Sequence, residues 1–285
     1  MGDKNFKVGI FLMQKNEFDL FPLFIKYYGN LVGYSNIHVV DNGSSKDMLP
    51  LIKNASDLGV NVDFSYSRET DFENKGRIIG DKINLLLDKY DVSIPLDCDE
   101  FIGIQTSSNE YTFDKDLIIK YFSTLDDGIY QLKSGNRFRN SITDYTKFYR
   151  LFHTGTKLFS KKKKLIGLDL GYHRCKGTKN ISSLCYFELH NKPFDTFHKH
   201  CVEKMKNRVD VSNVDKNIKY QGAGLHLIRY LYKEGKTLYY SDLNKKITWK
   251  NIPGLMDMFH KLNIKVPEHL IEDKENMKDF KSSVI

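Results

Sequence analysis

Asp97-Cys98-Asp99-Glu100-Phe101 sets three carboxylates directly behind an apolar run, Val92-Ser93-Ile94-Pro95-Leu96. Two aspartates one residue apart, delivered by a buried strand to the rim of a cleft, offer hard oxygens to one divalent cation. Mg²⁺ or Mn²⁺ held there neutralises a diphosphate. Asp-x-Asp is also an ordinary solvated turn, so the surrounding elements decide its weight. Two more polar stretches follow apolar runs in the same manner: Lys15-Asn16-Glu17 after residues 6–13, and Asp41-Asn42-Gly43-Ser44-Ser45 after residues 34–40.

The elements that must position these groups follow from periodicity. Residues 6–13, 34–40, 60–65 and 92–96 predict strands, and 20–31, 48–58 and 76–90 predict helices, an alternation that calls for a parallel sheet covered on both faces. Ligands of such α/β sheets bind beyond the carboxyl ends of the strands. The three polar stretches close three of those ends, so they are expected along one edge. Past residue 103 the pattern changes to a helix at 114–125, strands at 128–134, 145–159, 164–173 and 184–190, and helices at 196–207 and 223–234. The stretch 249–285 reads as partly helical, broken at Pro253 and Pro267.

Composition bounds the function classes. With 285 residues, 40% hydrophobic, 28% charged and 13% aromatic, the chain buries a substantial core and is not a disordered segment. No apolar run reaches the roughly 20 residues of a membrane span, and the start, Met1-Gly2-Asp3-Lys4-Asn5, lacks the pattern of a signal peptide. A cytoplasmic protein is therefore expected. The formal charge of +8 favours anionic partners, and the run Lys161-Lys162-Lys163-Lys164 reads as a solvated tip with peripheral membrane-surface contact as its functional option. Cys98, Cys175, Cys185 and Cys201 show no paired spacing and read as reduced packing residues.

Taken together, Lys15-Asn16-Glu17, the helix with Tyr27-Tyr28 and Gly33, His38-Val39-Val40-Asp41-Asn42-Gly43-Ser44-Ser45-Lys46-Asp47, and Pro95-Leu96-Asp97-Cys98-Asp99-Glu100-Phe101 resemble GT-A glycosyltransferases of the group related to families 2 and 92. The matching features are that group's KNE, D-N-x-S-x-D and D-x-D-E-F, in order and at similar spacing over residues 6 to about 103. Residues 164–173 and 190–204 are similar to the basic stretch and the two histidine segments that follow in that group. The resemblance implies an α/β, Rossmann-like GT-A domain over 1–235, divided into a nucleotide-binding half, 1–103, and an acceptor-binding half, 104–235. A helical C-terminal extension, 236–285, follows.

The resemblance also implies roles. Asp41 and Asn42 would meet the base of a UDP, GDP or dTDP sugar, with Lys15, Asn16 and Glu17 bordering base and ribose. Asp99 would ligate Mn²⁺ or Mg²⁺ directly, with Asp97 on the ribose or the metal, and His173 or His190 would complete the shell. By position, Gly76 and Arg77 open the helix before the acidic strand, where backbone N–H groups and a guanidinium suit a phosphate. Inverting transfer needs a carboxylate base, for which Asp169, Glu188 and Glu100 are the candidates. The expected activity is metal-dependent transfer of a sugar to a hydroxyl of a glycan or lipid-linked acceptor. A metal-dependent nuclease or nucleotidyltransferase is the alternative, and a non-catalytic nucleotide-binding module the third. Nucleic acid is not the expected partner, because a nuclease has no use for the carboxylate at the end of the second strand.

Overall fold

The computed structural model describes residues 6–152, 156–213, 220–222, 224–244 and 248–273. In chain order the elements are β1 (Val8–Gln14), α1 (Phe21–Val32), β2 (Ile37–Asp41), α2 (Leu49–Asp57), β3 (Asn61–Asp63), α3 (Glu69–Glu73), α4 (Lys75–Leu85), β4 (Val92–Leu96), β5 (Glu100–Gln105), β6 (Tyr111–Thr112) and α5 (Lys115–Thr124). There follow β7 (Gly128–Leu132), β8 (Arg137–Asn140), β9 (Lys147–Leu151), β10 (Leu158–Lys161), β11 (Lys179–Ser182), β12 (Leu184–Glu188), α6 (Phe194–Met205), α7 (Leu225–Ile228), α8 (Gly235–Asn244), β13 (Trp249–Asn251) and α9 (Gly254–Lys261).

The chain forms two compact units: Met1–Arg139 with Arg150–Leu189 and Ile252–Lys265, and Asn140–Tyr149 with His190–Asn251 and Val266–Ile285. Residues 235 and 236 lie in one segment of the second unit, and α9 belongs to the first. Phe259 of α9 packs edge-on against Tyr27 and Phe101, and Lys26 Nζ donates to the Asn263 carbonyl at 2.9 Å.

The first unit is an α/β domain with a seven-stranded sheet in the order β11-β7-β10-β4-β1-β2-β3, flanked by helices. β4, β1, β2 and β3 run parallel, and β10 is antiparallel to both of its neighbours. Every residue of β1 and β4 is buried, as parallel strands covered on both faces require. Phe11 and Met13 share a core with Ile78, Ile79 and Ile83 of α4, and Ile10 and Leu12 are buried on the opposite face. A second sheet of this unit runs β8-β12-β5-β6. Tyr27 and Tyr28 of α1 peg its β5 strand: Tyr27 Oη donates to the Ile102 carbonyl at 2.5 Å, and Tyr28 Oη donates to the Glu100 carbonyl at 2.9 Å and accepts from the Ile102 N–H at 3.1 Å.

In the second unit, Ile142, Phe194, Tyr239, Tyr240 and Leu243 form the core, and β13 pairs antiparallel with β9. Asn140 and Asn191 exchange three hydrogen bonds of 2.7–2.9 Å through side chain and backbone.

Several expectations are corrected. Residues 164–173 form turns and not a strand, since Gly167 and Tyr172 have φ of 66° and 59° and Asp169 closes a loop onto Arg174. The stretch 145–159 contains β9 and the start of β10, which runs on to Lys161, and 34–36 is a 3₁₀ turn ahead of β2. The helix expected to reach residue 90 stops at Leu85. β5, β6, β8, β11 and β13 were not anticipated. The helix expected at 223–234 is only the single turn α7 over Leu225–Ile228, and its first residue, Ala223, lies outside the described residues.

The lysine run divides in two. Lys161 Nζ caps the carboxyl end of α5, donating to the carbonyls of Phe122, Ser123 and Leu125, and Lys162 pairs with Asp91 at 3.2 Å. Lys163 and Lys164 are exposed. The four cysteines are buried and unbridged. Among the described residues no helix is long and apolar enough to cross a membrane.

Candidate active site at the carboxyl edge of the parallel strands

β1 pairs Gln14 with Asp41 of β2 and Leu12 with Leu96 of β4, so the polar stretches after these three strands stand along one edge. Hydrogen bonds lace the first two together. Asp41 Oδ1 accepts from Gln14 Nε2 at 2.5 Å and Ser44 Oγ at 2.6 Å, and its Oδ2 accepts from the Ser44 N–H at 3.0 Å. The Asn16 N–H donates to Ser44 Oγ at 3.0 Å, and Asn16 Oδ1 accepts from the Ser45 N–H at 2.7 Å. Asn16 holds φ at 55°, a left-handed value that asparagine tolerates, and this turns its side chain to the second loop. Asn42 Nδ2 ties the edge to the carbonyls of Tyr66 and Arg68, at 2.7 and 3.0 Å. Lys15 is exposed, and Glu17 starts the turn into α1 by accepting from the Phe21 N–H at 2.9 Å.

The acidic motif forms the turn between β4 and β5. Glu100 Oε2 accepts from the Asp97 N–H at 2.9 Å, which folds the turn over its own glutamate, and the Asp99 carbonyl accepts from the Leu189 N–H at 2.8 Å. Asp97 is clamped by two ammonium groups, Lys75 on Oδ1 at 2.6 Å and Lys157 on Oδ2 at 2.7 Å. Lys157 reaches Glu100 Oε1 as well, at 2.8 Å. The two lysines are nearly inaccessible, at 6% and 2% relative exposure, whereas the Asp97 side chain keeps 33%. The Tyr172 ring lies 4.6 Å from Lys75 Nζ and 5.2 Å from Lys157 Nζ, a double cation–π contact.

Electrostatics follow from this packing. Burial pushes Asp97 up, but Lys157 and Lys75 outweigh it and hold the carboxyl well below the usual range. Glu100 goes the other way: burial, with Asp97 and Glu188 nearby, pushes it up to about 8 against the pull of Lys157. Directly across the ladder from Glu100 is Glu188 of β12, itself enclosed by Arg137 (Nε 2.6 Å and Nη2 2.5 Å to Oε1) and Arg139 (Nε 2.9 Å to Oε2). The two arginines alternate along β8 and so share the face that meets Glu188.

The other expected residues fall as follows. Gly76 sits inside α4 and serves close packing, since a Cβ there would lie 2.2 Å from the Asp169 carbonyl oxygen. Arg77 is exposed and pairs with Asp81 at 3.4 Å along its own helix. The α4 residue brought to the motif is their neighbour, Lys75. Asp169, 25% exposed, accepts from the His173 and Arg174 N–H groups at 2.6 and 3.1 Å. Those bonds outweigh burial and lower its pKa. His173 Nδ1 faces the Thr156 carbonyl at 3.1 Å, which fixes the proton on Nδ1 and leaves Nε2 as the acceptor nitrogen. Burial, followed by Lys157, lowers its pKa. His190 belongs to the second unit, at the start of its segment His190–Asn251.

A divalent cation fits Asp97 and Glu100 poorly, while Asp99, the expected direct ligand, is half-buried beside them. Both oxygens of Asp97 are engaged by ammonium groups and Glu100 is turned inward onto Lys157 and the Asp97 N–H. A metal at Asp97 has to displace buried lysines. Among the described residues no group of three or more His, Cys, Asp or Glu side chains converges as a metal site.

Sequence reasoning missed Lys75, Lys157, Arg137, Arg139 and Tyr172. Two faint signals exist: a lysine in the first turn of a helix opposes the macrodipole, and Arg137-Phe138-Arg139 puts like charges on one face of a strand.

No family model matches the chain, and no curated protein matches it. Among solved structures, a cytidylyltransferase from Leptospira borgpetersenii serovar Hardjo-bovis (strain JB197) is 11% identical over 55% of this chain and 61% of that chain, with a TM-score of 0.31. S. aureus TarS 1-349 is 11% identical over 93% of this chain and 82% of that chain, with a TM-score of 0.39. A longer S. aureus TarS structure is 7% identical over 84% and 50%, with a TM-score of 0.38. Similarity this low establishes neither a shared family nor a shared activity.

Proposed function

We propose that the chain is a GT-A-type glycosyltransferase that moves a sugar from a nucleoside diphosphate to a hydroxyl of a glycan or lipid-linked acceptor, with inversion. The observation that supports this most is the laced edge. Three parallel strands deliver Asn16, Asp41 and Asp97 to one side of the sheet, and the first two loops are bonded to each other. A nucleoside site at the carboxyl ends of parallel strands has this construction.

In this reading the Asn16 and Asp41 loops border base and ribose, and the Asp97–Asp99 turn faces the diphosphate. The acceptor hydroxyl attacks the anomeric carbon from the far side while the C–O bond to the diphosphate breaks, and a carboxylate takes the hydroxyl proton. Of the three candidate bases only Asp169 retains exposure, and its lowered pKa keeps it ionised. Glu100 and Glu188, 2% exposed each, are enclosed by Lys157 and by the arginine pair, out of reach of an acceptor hydroxyl. The net charge of +8 suits an anionic acceptor or an anionic membrane face.

The test is thermal unfolding against UDP, GDP, dTDP and CMP and their sugars, since a ligand held by the native state raises the midpoint. A rise for one nucleotide, with release of that nucleotide from its sugar on adding acceptor, is expected. No rise with any of them, together with salt-sensitive binding of DNA or RNA, would replace this reading by the nuclease.

A further inference from the structure

We infer that Lys75 and Lys157, buried behind the Asp97 carboxylate, supply in place of a divalent cation the fixed positive charge that offsets the donor's diphosphate, so that nucleotide binding at this edge needs no metal. The inference rests on the transferase reading above. Its first ground is geometric. Asp97 is the exposed member of a closed cluster, and both its oxygens are held at 2.6 and 2.7 Å by lysines that have almost no access to water. The position at which a cation would sit beside Asp97 already carries two fixed positive charges.

The second ground is energetic. Burying ammonium and carboxylate groups together costs several kcal/mol per ion, which mutual attraction only partly returns, so an apolar replacement is often no less stable. An arrangement this unfavourable for stability, at the mouth of the strand edge, points to a functional demand for charge. The third is an orphan. Tyr172 has its ring against both ammonium groups, while its fully buried Oη has no hydrogen-bond partner among the described residues. Preorganised charge in a site of low dielectric stabilises a departing diphosphate without reorganisation as the bond breaks.

The experiment measures the affinity of the full-length chain for UDP, GDP, dTDP and CMP by calorimetry, in EDTA and in Mn²⁺, for wild type, Lys75→Met and Lys75→Arg. Unliganded unfolding midpoints serve as the fold control, and Lys157→Met is the second variant. The expected result is one nucleotide bound equally well in EDTA and in Mn²⁺, at least tenfold weaker binding in Lys75→Met without metal, partial recovery of that variant by Mn²⁺, and near-normal binding in Lys75→Arg. Binding that appears only with Mn²⁺ overturns the inference and leaves the transferase reading standing. Metal-independent binding that neither methionine variant weakens also overturns it. Failure of every nucleotide to bind under either condition removes the transferase reading, and the inference with it.

Discussion

Lys157→Met isolates the central ion pair. The lysine is 2% exposed and its ammonium meets Asp97 Oδ2 at 2.7 Å and Glu100 Oε1 at 2.8 Å. Methionine has similar length and volume, so little cavity is added and the change is mainly the loss of charge. Removing one partner of a buried pair costs about 3–5 kcal/mol. The low end applies, because Asp97 keeps Lys75 at 2.6 Å and is 33% exposed to water, and Glu100, already raised to about 8, takes up a proton when Lys157 is gone. We expect a loss of about 3 kcal/mol, which at an m value of about 3 kcal/mol/M moves the urea midpoint down by about 1 M. Far-UV circular dichroism is the readout, since the single tryptophan, Trp249, lies in the other unit. In Lys157→Met/Glu100→Gln both partners of the 2.8 Å contact are replaced, so the double variant should lose less than the sum of the singles by about 1–2 kcal/mol. A single variant within 0.5 kcal/mol of wild type, or strict additivity in the double, would refute the claim that this pair is buried and coupled.

Three further outcomes are expected. Gly76→Ala drives a Cβ to 2.2 Å from the Asp169 carbonyl oxygen and 2.4 Å from that of Leu168, so stability should fall by about 2–3 kcal/mol; a midpoint equal to wild type would contradict the packing of α4 on that loop. Tyr28→Phe removes the hydroxyl that serves the Glu100 carbonyl and the Ile102 N–H, at a cost of about 1–3 kcal/mol, with faster hydrogen exchange at Ile102 as the local readout. His38 is stacked on Phe11 and bonded to Tyr90 Oη at 2.6 Å, and burial, followed by Lys89 and Lys82, lowers its pKa to about 4. A depressed histidine contributes stability that is present above its unfolded pKa of about 6.5 and lost as pH falls toward 4, here about 2 kcal/mol after discounting partial exposure. The drop in stability between pH 7 and pH 4.5 should therefore be smaller in His38→Gln than in wild type, and equal drops would exclude the effect.

Much of the first unit is legible without coordinates because its determinants are local. The run 92–96 is apolar except for Ser93, as a strand covered on both faces requires, and β4 occupies those residues, all of them buried. Asp114 announces α5, and its Oδ1 accepts from the N–H groups of Asp116 and Leu117, as an N-cap does. Alternation of strands and helices then settles that the three polar stretches stand on one edge. Periodicity fails where a segment's conformation depends on distant partners. The stretch 164–173 has the composition of a strand, yet it is held as turns by hydrogen bonds closing on Asp169 and by packing against the side-chain-free Gly76.

The sequence by itself determined the parallel-strand edge and the acidic turn upon it, since hydrophobic period and turn chemistry operate over a few residues. Tertiary structure alone decided what surrounds that turn. Lys75 is 22 residues from Asp97 and Lys157 is 60, and in sequence each is one lysine among many. Whether an ammonium group lies in water or against a buried carboxylate is set by the packing of α4, β10 and the Tyr172 loop around it. Charge in a low-dielectric interior is governed by distance in space, and chain separation carries no record of it.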